Sequence, residues 1–249
     1  MNIKKHIPNA ITCGNLLCGC LAIVKAFEGN LVWAAYLVGI ALVLDFFDGF
    51  TARLLKVSSP IGKDLDSLAD MVTFGVVPGI VMFKLIFLAV AYDEGTYSDR
   101  SWISDNLTKL TYFAFIIPIF SAVRLAKFNN DTRQSDSFIG VPTPANAMFI
   151  CSIPVIYHLN GVATDMPFTE SPYVLCFVSL IMSLLLVAPI PLLALKFKNF
   201  SWADNKMRFI LIGLAIVTLA VFQFVGIPLV IILYILLSIV NNIFFKKKV

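Results

Sequence analysis

The sequence predicts an all-α, polytopic integral membrane helix bundle of about eight transmembrane helices, forming a single domain over residues 1–249. Three observations predict it. Hydrophobic residues make up 59% of the chain and charged residues only 14%. Mean hydropathy is +0.89. The apolar residues are gathered into stretches of about 20, the length that 1.5 Å per residue needs to cross ~30 Å of hydrocarbon.

In order, these stretches run roughly over residues 10–28, 31–55, 65–91, 110–128, 143–159, 172–195, 207–225 and 227–245. The first follows MNIKKH, contains Asn15 and Lys25, and lacks a small-residue cleavage site before Glu28, so it is expected to remain as a span. Between the second and third lies a short break, from about Leu54 to Ile61, with Lys56, Ser58, Ser59 and Pro60. A connection this short makes the two helices antiparallel neighbours. The loop from Asp93 to Lys109 is polar and without a site pattern, and Tyr92, Trp102 and Tyr112 at its edges suit a membrane interface. The fifth stretch is short and polar at its start, where Pro142 and Pro144 stiffen the entrance. Pro189 and Pro191 kink or end the sixth. Val225, Gly226 and Pro228 divide the last pair, which reads either as a tight hairpin or as a broken helix.

Lysines and arginines set the orientation. Of the 19, fifteen fall at one set of alternate ends: Lys4, Lys5, Arg53, Lys56, Lys63, Arg124, Lys127, Arg133, Lys196, Lys198, Lys206, Arg208 and Lys246 to Lys248. Arg100 and Lys109 fall at the other. The positive-inside rule therefore puts both termini, and the open end of the acidic site described below, on the cytoplasmic side of a cell membrane. The net charge of +4 is a collar for anionic lipid head groups and points to no nucleic-acid partner. The five cysteines lack metal-site spacing and read as reduced packing residues, and His6 and His158 are lone histidines without a partnered motif.

Four acids sit inside apolar stretches: Asp45, Asp48, Asp66 and Asp70. A carboxylate at membrane depth costs at least ~2.5 kcal/mol, so such residues are functional by default. At 100° per residue, Asp45, Asp48, Gly49 and Ala52 fall within an arc of about 100° on one helix, and Asp66 and Asp70 share a stripe on the next. The stripes can face each other across a narrow gap. Either some of the acids are protonated, or metal ions sit among them. Oxygen ligands with no His or Cys nearby select Mg²⁺ or Mn²⁺, and Mg²⁺ commonly shares its shell with substrate phosphates. Gly49 would let a bulky ligand lie against bare helix backbone, and Arg53 can offset negative charge at the cytosolic lip. In the first span Asn9, Thr12 and Asn15 form a polar stripe, either capping a helix start or facing the acids to bind phosphates.

Asp45-x-x-Asp48-Gly49-x-x-Ala52-Arg53, then eight residues, then Gly62-x-x-x-Asp66-x-x-x-Asp70 resembles, at every fixed position and spacing, the signature of the CDP-alcohol phosphotransferases. The resemblance implies that family's fold, with a catalytic core over about residues 5–195 and an added helix pair over about 207–245. It implies transfer of a substituted phosphate from a CDP-linked donor to an alcohol, with release of CMP. Two divalent ions on Asp45, Asp48, Asp66 and Asp70 are implied, with Asp70 doubling as general base and Gly49, Ala52 and Gly62 lying close around the nucleotide. A homodimer is also implied. Asn15 stands where glycerol-phosphate-transferring members tend to carry Arg, so the sequence is similar to the serine-transferring branch. The R-L-A-x-F-N pattern from Arg124, followed by F-x-G-x-P-x-P, resembles bacterial and archaeal phosphatidylserine synthases, with Lys127 and Val141 where Arg and Leu are commoner. CDP-diacylglycerol as donor and L-serine as acceptor are what this implies, with Arg124, Lys127 or Arg133 binding the serine carboxylate or the lipid phosphate. Glycerol 3-phosphate or inositol phosphate as acceptor is the alternative within the family. Outside it stands a cation or proton transporter, which would call for inverted repeats and acids at the bilayer midplane. No such repeat is visible. Intramembrane prenyltransferases also pair D-x-x-D with Mg²⁺, but that chemistry leaves Gly49, Ala52 and Arg53 unexplained.

Overall fold

The computed structural model describes residues 6–57, 59–93, 109–130, 138–159, 171–193 and 202–244. Arg133, Trp102 and the side chain of Tyr92 lie outside these, as do most of the loops over 93–109 and 194–201.

Helices α1 (His6–Phe27) and α2 (Leu31–Leu54) form the first hairpin. Gly29 turns it with φ 84°, and the Asn30 side chain caps α2 by accepting a hydrogen bond from Trp33 N at 3.1 Å. Ala22, Ala26, Ala34, Val38 and Ala41 are all buried, and such small residues let the two backbones approach closely. After α2 the chain turns at Lys56, φ 51°, and re-enters helix at α3 (Pro60–Asp70). Ser59 caps α3, its Oγ accepting from Gly62 N at 3.0 Å, with Pro60 in the first turn.

Beyond Asp70 the helix continues as a π-helical turn, Met71–Val76, and then as α4 (Val77–Asp93). α1 packs against both α2 and α3, whereas α2 and α3 touch each other little. The acids on their facing stripes cannot interdigitate as apolar side chains do.

A 3₁₀ turn, Thr111–Phe115, leads into α5 (Ile116–Asn130). Then come β1 (Phe138–Ile139), α6 (Thr143–Leu159), α7 (Pro172–Val187), β2 (Pro191–Leu192), α8 (Trp202–Phe222) and α9 (Gly226–Phe244). The two strands pair antiparallel, Phe138 opposite Leu192 and Ile139 opposite Pro191. Helix occupies each of the eight expected stretches, but the sixth stops at Val187 rather than near 195. Pro189 and Pro191 lack the amide hydrogens to continue it.

Five described stretches are long and apolar enough to cross a membrane: His6–Phe27, Leu31–Leu54, Pro60–Ala91, Thr111–Asn130 and Asn205–Ile243. The 16-residue α7 is a shorter apolar helix, about 24 Å long. The stretch Asn205–Ile243 folds back on itself at Gln223–Val225, where Gln223 has φ 50° and a Cβ on Gly226 would stand 2.8 Å from Thr218 O. The last pair is thus a hairpin.

The main core gathers Phe74 from the π turn, Val81, Met82 and Ile86 from α4, Ile117 from α5 and Ile150 from α6. A smaller cluster of Val141, Leu192, Ile231 and Ile235 fastens α9 to the strand pair. All five cysteines are free thiols.

Candidate active site

Asp45 and Asp48 come from the C-terminal half of α2, and Asp66 and Asp70 from α3. An oxygen of each of Asp45, Asp48 and Asp66 lies within 4.8 Å of the others, and Asp70 lies next to Asp45. The two stripes therefore face each other as their spacing predicts. Two unit charges 4.8 Å apart repel by about 3 kcal/mol at an effective dielectric near 20. Among the described residues, no lysine or arginine nitrogen lies within 4.0 Å of any of the four carboxylates. The cluster is short of positive charge.

α1 holds the acids from one side. Thr12 donates to Asp48 Oδ2 at 2.7 Å, with Pro8 O at 3.1 Å as a second acceptor, and Asn15 Nδ2 reaches Asp70 Oδ1 at 3.5 Å. Thr73, in the π turn, donates to Asn15 O at 3.2 Å. Gly19 has no room for a side chain, since a Cβ there would collide with Thr73 Oγ1 and stand 3.1 Å from Thr73 Cα. The polar stripe of the first span thus faces the acids rather than merely capping a helix. The π turn that receives it carries no period signal in its apolar sequence MVTFGV, although such turns recur at functional sites.

Beside the acids opens a cavity of about 280 Å³, bordered by Asn9, Thr12, Asp48, Gly49, Ala52, Gly62 and Asp66. A Cβ on Gly49 would meet no protein atom within 4 Å. Packing therefore does not require glycine there, and the Cβ would project into the cavity. Gly62 is crowded instead, with Asn9 Oδ1 and Ser59 Oγ each 3.0 Å from its would-be Cβ. Ser59 and Lys63 also border the cavity, neither of them expected there from the sequence. Lys63 stands one turn before Asp66, which was the available signal. Its Nζ donates to Asn129 O at 3.1 Å, and Asn129 Nδ2 donates to Ser67 Oγ at 2.8 Å, tying α3 to the end of α5.

The expected cations separate. Arg53 and Lys127 are exposed and do not border the cavity, and Arg133 lies outside the described residues. Arg124 is only 7% exposed. Its Nε donates to Val141 O at 3.1 Å, its guanidinium lies 5.2 Å from the Phe128 ring centre, and it is within electrostatic reach of Asp70. Gly140 makes this possible. It has φ 77° and lies against Leu186 O, a place and conformation that only glycine fits, so that Val141 can turn its carbonyl to Arg124.

The family model for CDP-alcohol phosphatidyltransferases matches residues 5–240. The chain belongs to this family. Two relatives are named CDP-diacylglycerol--serine O-phosphatidyltransferase. That of Bacillus subtilis is 34% identical over 153 residues, covering 61% of this chain and 77% of the relative. That of Helicobacter pylori is 37% identical over 145 residues, covering 57% of this chain and 54% of the relative. An archaetidylserine synthase of Methanothermobacter thermautotrophicus is 27% identical over 190 residues, covering 73% of this chain and 71% of the relative. The chain thus spans little more than half the length of the Helicobacter relative and about three quarters of the other two. Membership in a phosphotransferase family sets aside the ion-transporter alternative.

Proposed function

We propose that this CDP-alcohol phosphatidyltransferase moves the phosphatidyl group of CDP-diacylglycerol to the hydroxyl of L-serine, giving phosphatidylserine and CMP. The observation that carries the reading is the acidic cluster beside a cavity whose Gly49 wall is bare for no packing reason. The serine-transferring relatives support the choice of acceptor.

The donor set fits hard divalent cations: only carboxylate oxygens, close together, with no basic partner among the described residues. Asp45, Asp48, Asp66 and Asp70 would hold two ions, Mg²⁺ or Mn²⁺. When bound, such ions supply charge neutralisation to a pyrophosphate and to the departing CMP. The chain's own residues do the rest. Gly49 and Ala52 leave space for the nucleotide, Gly62 lets α3 come close to it while packed against Asn9 and Ser59, and Asn9, Thr12 and Asn15 offer polar groups from α1, with Lys63 on α3 at the cavity's edge. Asp70 takes the proton from the serine hydroxyl as its oxygen bonds to the phosphatidyl phosphorus and the bond to the CMP oxygen breaks. Arg124, buried near Asp70, is placed to receive the serine carboxylate, whereas Arg53 and Lys127 serve the surface, where anionic lipid gathers.

In this reading the end of the bundle that carries the acids faces the cytoplasm of the cell, which is supported by the exposed Lys56, Lys63, Arg53 and Lys127 around the ends of α2, α3 and α5 and by the lysine and arginine distribution. Soluble serine and CMP exchange there, while acyl chains stay among the lipids. The functional unit is a homodimer.

The test is CMP release by purified protein in detergent with CDP-diacylglycerol and Mg²⁺ or Mn²⁺, comparing L-serine, glycerol 3-phosphate and inositol phosphate. Release dependent on both metal and serine is expected. Asp70→Asn should cut it by about 10²–10⁴-fold in folded protein. Full activity in Asp70→Asn, or release only with another acceptor, would overturn the corresponding part of the reading.

A further inference from the structure

Away from the residues that border the nucleotide cavity, the structure buries several polar side chains that have no hydrogen-bond partner. Ser121 Oγ, Thr143 Oγ1 and both the Nδ2 and Oδ1 of Asn146 are sealed from solvent and make no hydrogen bond, and all three residues are 0% exposed. Folded proteins satisfy nearly all such groups, so a set of them in one place calls for an explanation.

The connections put them in one place. Ser121 and Arg124 stand one turn apart on one stripe of α5, and Thr143 and Asn146 do so at the start of α6. Val141 links the two helices, its O accepting from Arg124 Nε at 3.1 Å while its N donates to Leu185 O at 2.9 Å. Ser121 Cβ lies 3.2 Å from the would-be Cβ of Gly75 in the π turn, five residues after Asp70. Arg124 is itself within electrostatic reach of Asp70. Only its Nε has a hydrogen-bond partner among the described residues, which leaves the two terminal nitrogens of the guanidinium to spare.

We infer that Asn146, with Thr143, Ser121 and Arg124, forms the subsite that binds the acceptor as a small zwitterionic amino acid. The inventory of free groups matches that ligand class. A carboxylate needs several N–H donors, and Arg124 with Asn146 Nδ2 offers them. An ammonium needs acceptors, and Asn146 Oδ1 with the Thr143 and Ser121 hydroxyls offers those. A dianionic phosphate acceptor would instead find a single guanidinium and acceptor oxygens facing it. Held there, the amino acid's hydroxyl is directed toward Asp70.

This rests on serine transfer as proposed above, and the experiment separates the two. Asn146→Leu keeps the side-chain size and deletes both unpartnered polar atoms. The expected result is a melting temperature unchanged or raised, the KM for L-serine raised by about 10- to 100-fold, the loss expected when hydrogen bonds to a charged ligand go, and the KM for CDP-diacylglycerol unchanged. Thr143→Val should move the same constant in the same direction and stands in if the first variant folds poorly. A purely structural role predicts the opposite pattern: a lowered melting temperature with both KM values moved together or neither moved. That pattern overturns the inference. If the wild type uses a different acceptor, serine transfer fails as the activity, and the KM for that acceptor in the two variants decides whether this is the acceptor subsite.

Discussion

Gly49→Ala separates packing from ligand binding by giving them opposite signs. Gly49 lies inside α2, where alanine is favoured over glycine by about 0.5–1 kcal/mol. Its new methyl meets no protein atom within 4 Å, so nothing offsets that gain. At about 2–4 °C per kcal/mol for a chain of this size, the melting temperature of the free protein should hold or rise by a few degrees. The same methyl enters the cavity where the donor is proposed to lie. If its cost resembles that of an extra methylene in a packed core, about 1–3 kcal/mol, kcat/KM for CDP-diacylglycerol falls by about 5- to 150-fold. Gly19→Ala is the control, because its methyl would collide with Thr73 and should lower the melting temperature. Thermal unfolding in detergent and CMP release with saturating serine measure the two effects. Undiminished kcat/KM in Gly49→Ala would refute the placement of the donor, and a lowered melting temperature would refute the packing argument.

Two further outcomes are expected. Chelation should abolish CMP release, with Mg²⁺ or Mn²⁺ restoring it. Independently of activity, the rise in melting temperature on adding either ion should shrink in Asp48→Asn, whereas an undiminished rise would mean the ions bind elsewhere. Gly140→Ala should destabilise by about 2 kcal/mol or more, because it combines a left-handed φ with a collision at Leu186 O. A melting temperature equal to wild type would show that the loop before α6 is not held as described.

The acidic site was legible because helical spacing and the cost of intramembrane charge act locally. Asp45 and Asp48, then Asp66 and Asp70, need only their own helices to form stripes, and the stripe of Asn9, Thr12 and Asn15 had to face something polar. What escaped the sequence depends on distant chain segments. The strand pair joins Ile139 to Pro191, Gly140 beside it lies against Leu186 O where only glycine fits, and Val141 O then anchors Arg124 inward rather than at the lip. Hydropathy counts composition and not conformation, so it ran the sixth span past Pro189, although the prolines announced the stop. The same blindness hid the π turn. The polar start of the fifth span was visible, but whether Asn146 would find a partner could be decided only by its neighbours.

Contacts between distant segments also fix the place of α1. Thr12, Asn15 and Gly19 meet Asp48, Asp70 and Thr73, so any sliding of α1 by one residue breaks all three relations at once. The small residues along the α1 and α2 interface leave little space for such sliding, since close backbones interlock without long side chains to re-pack. Repelling carboxylates would otherwise spread, and each added ångström would weaken whatever cation they share. A first span that looks like a simple anchor therefore works as a clamp, keeping the carboxylates gathered in the arrangement that the proposed metal site requires.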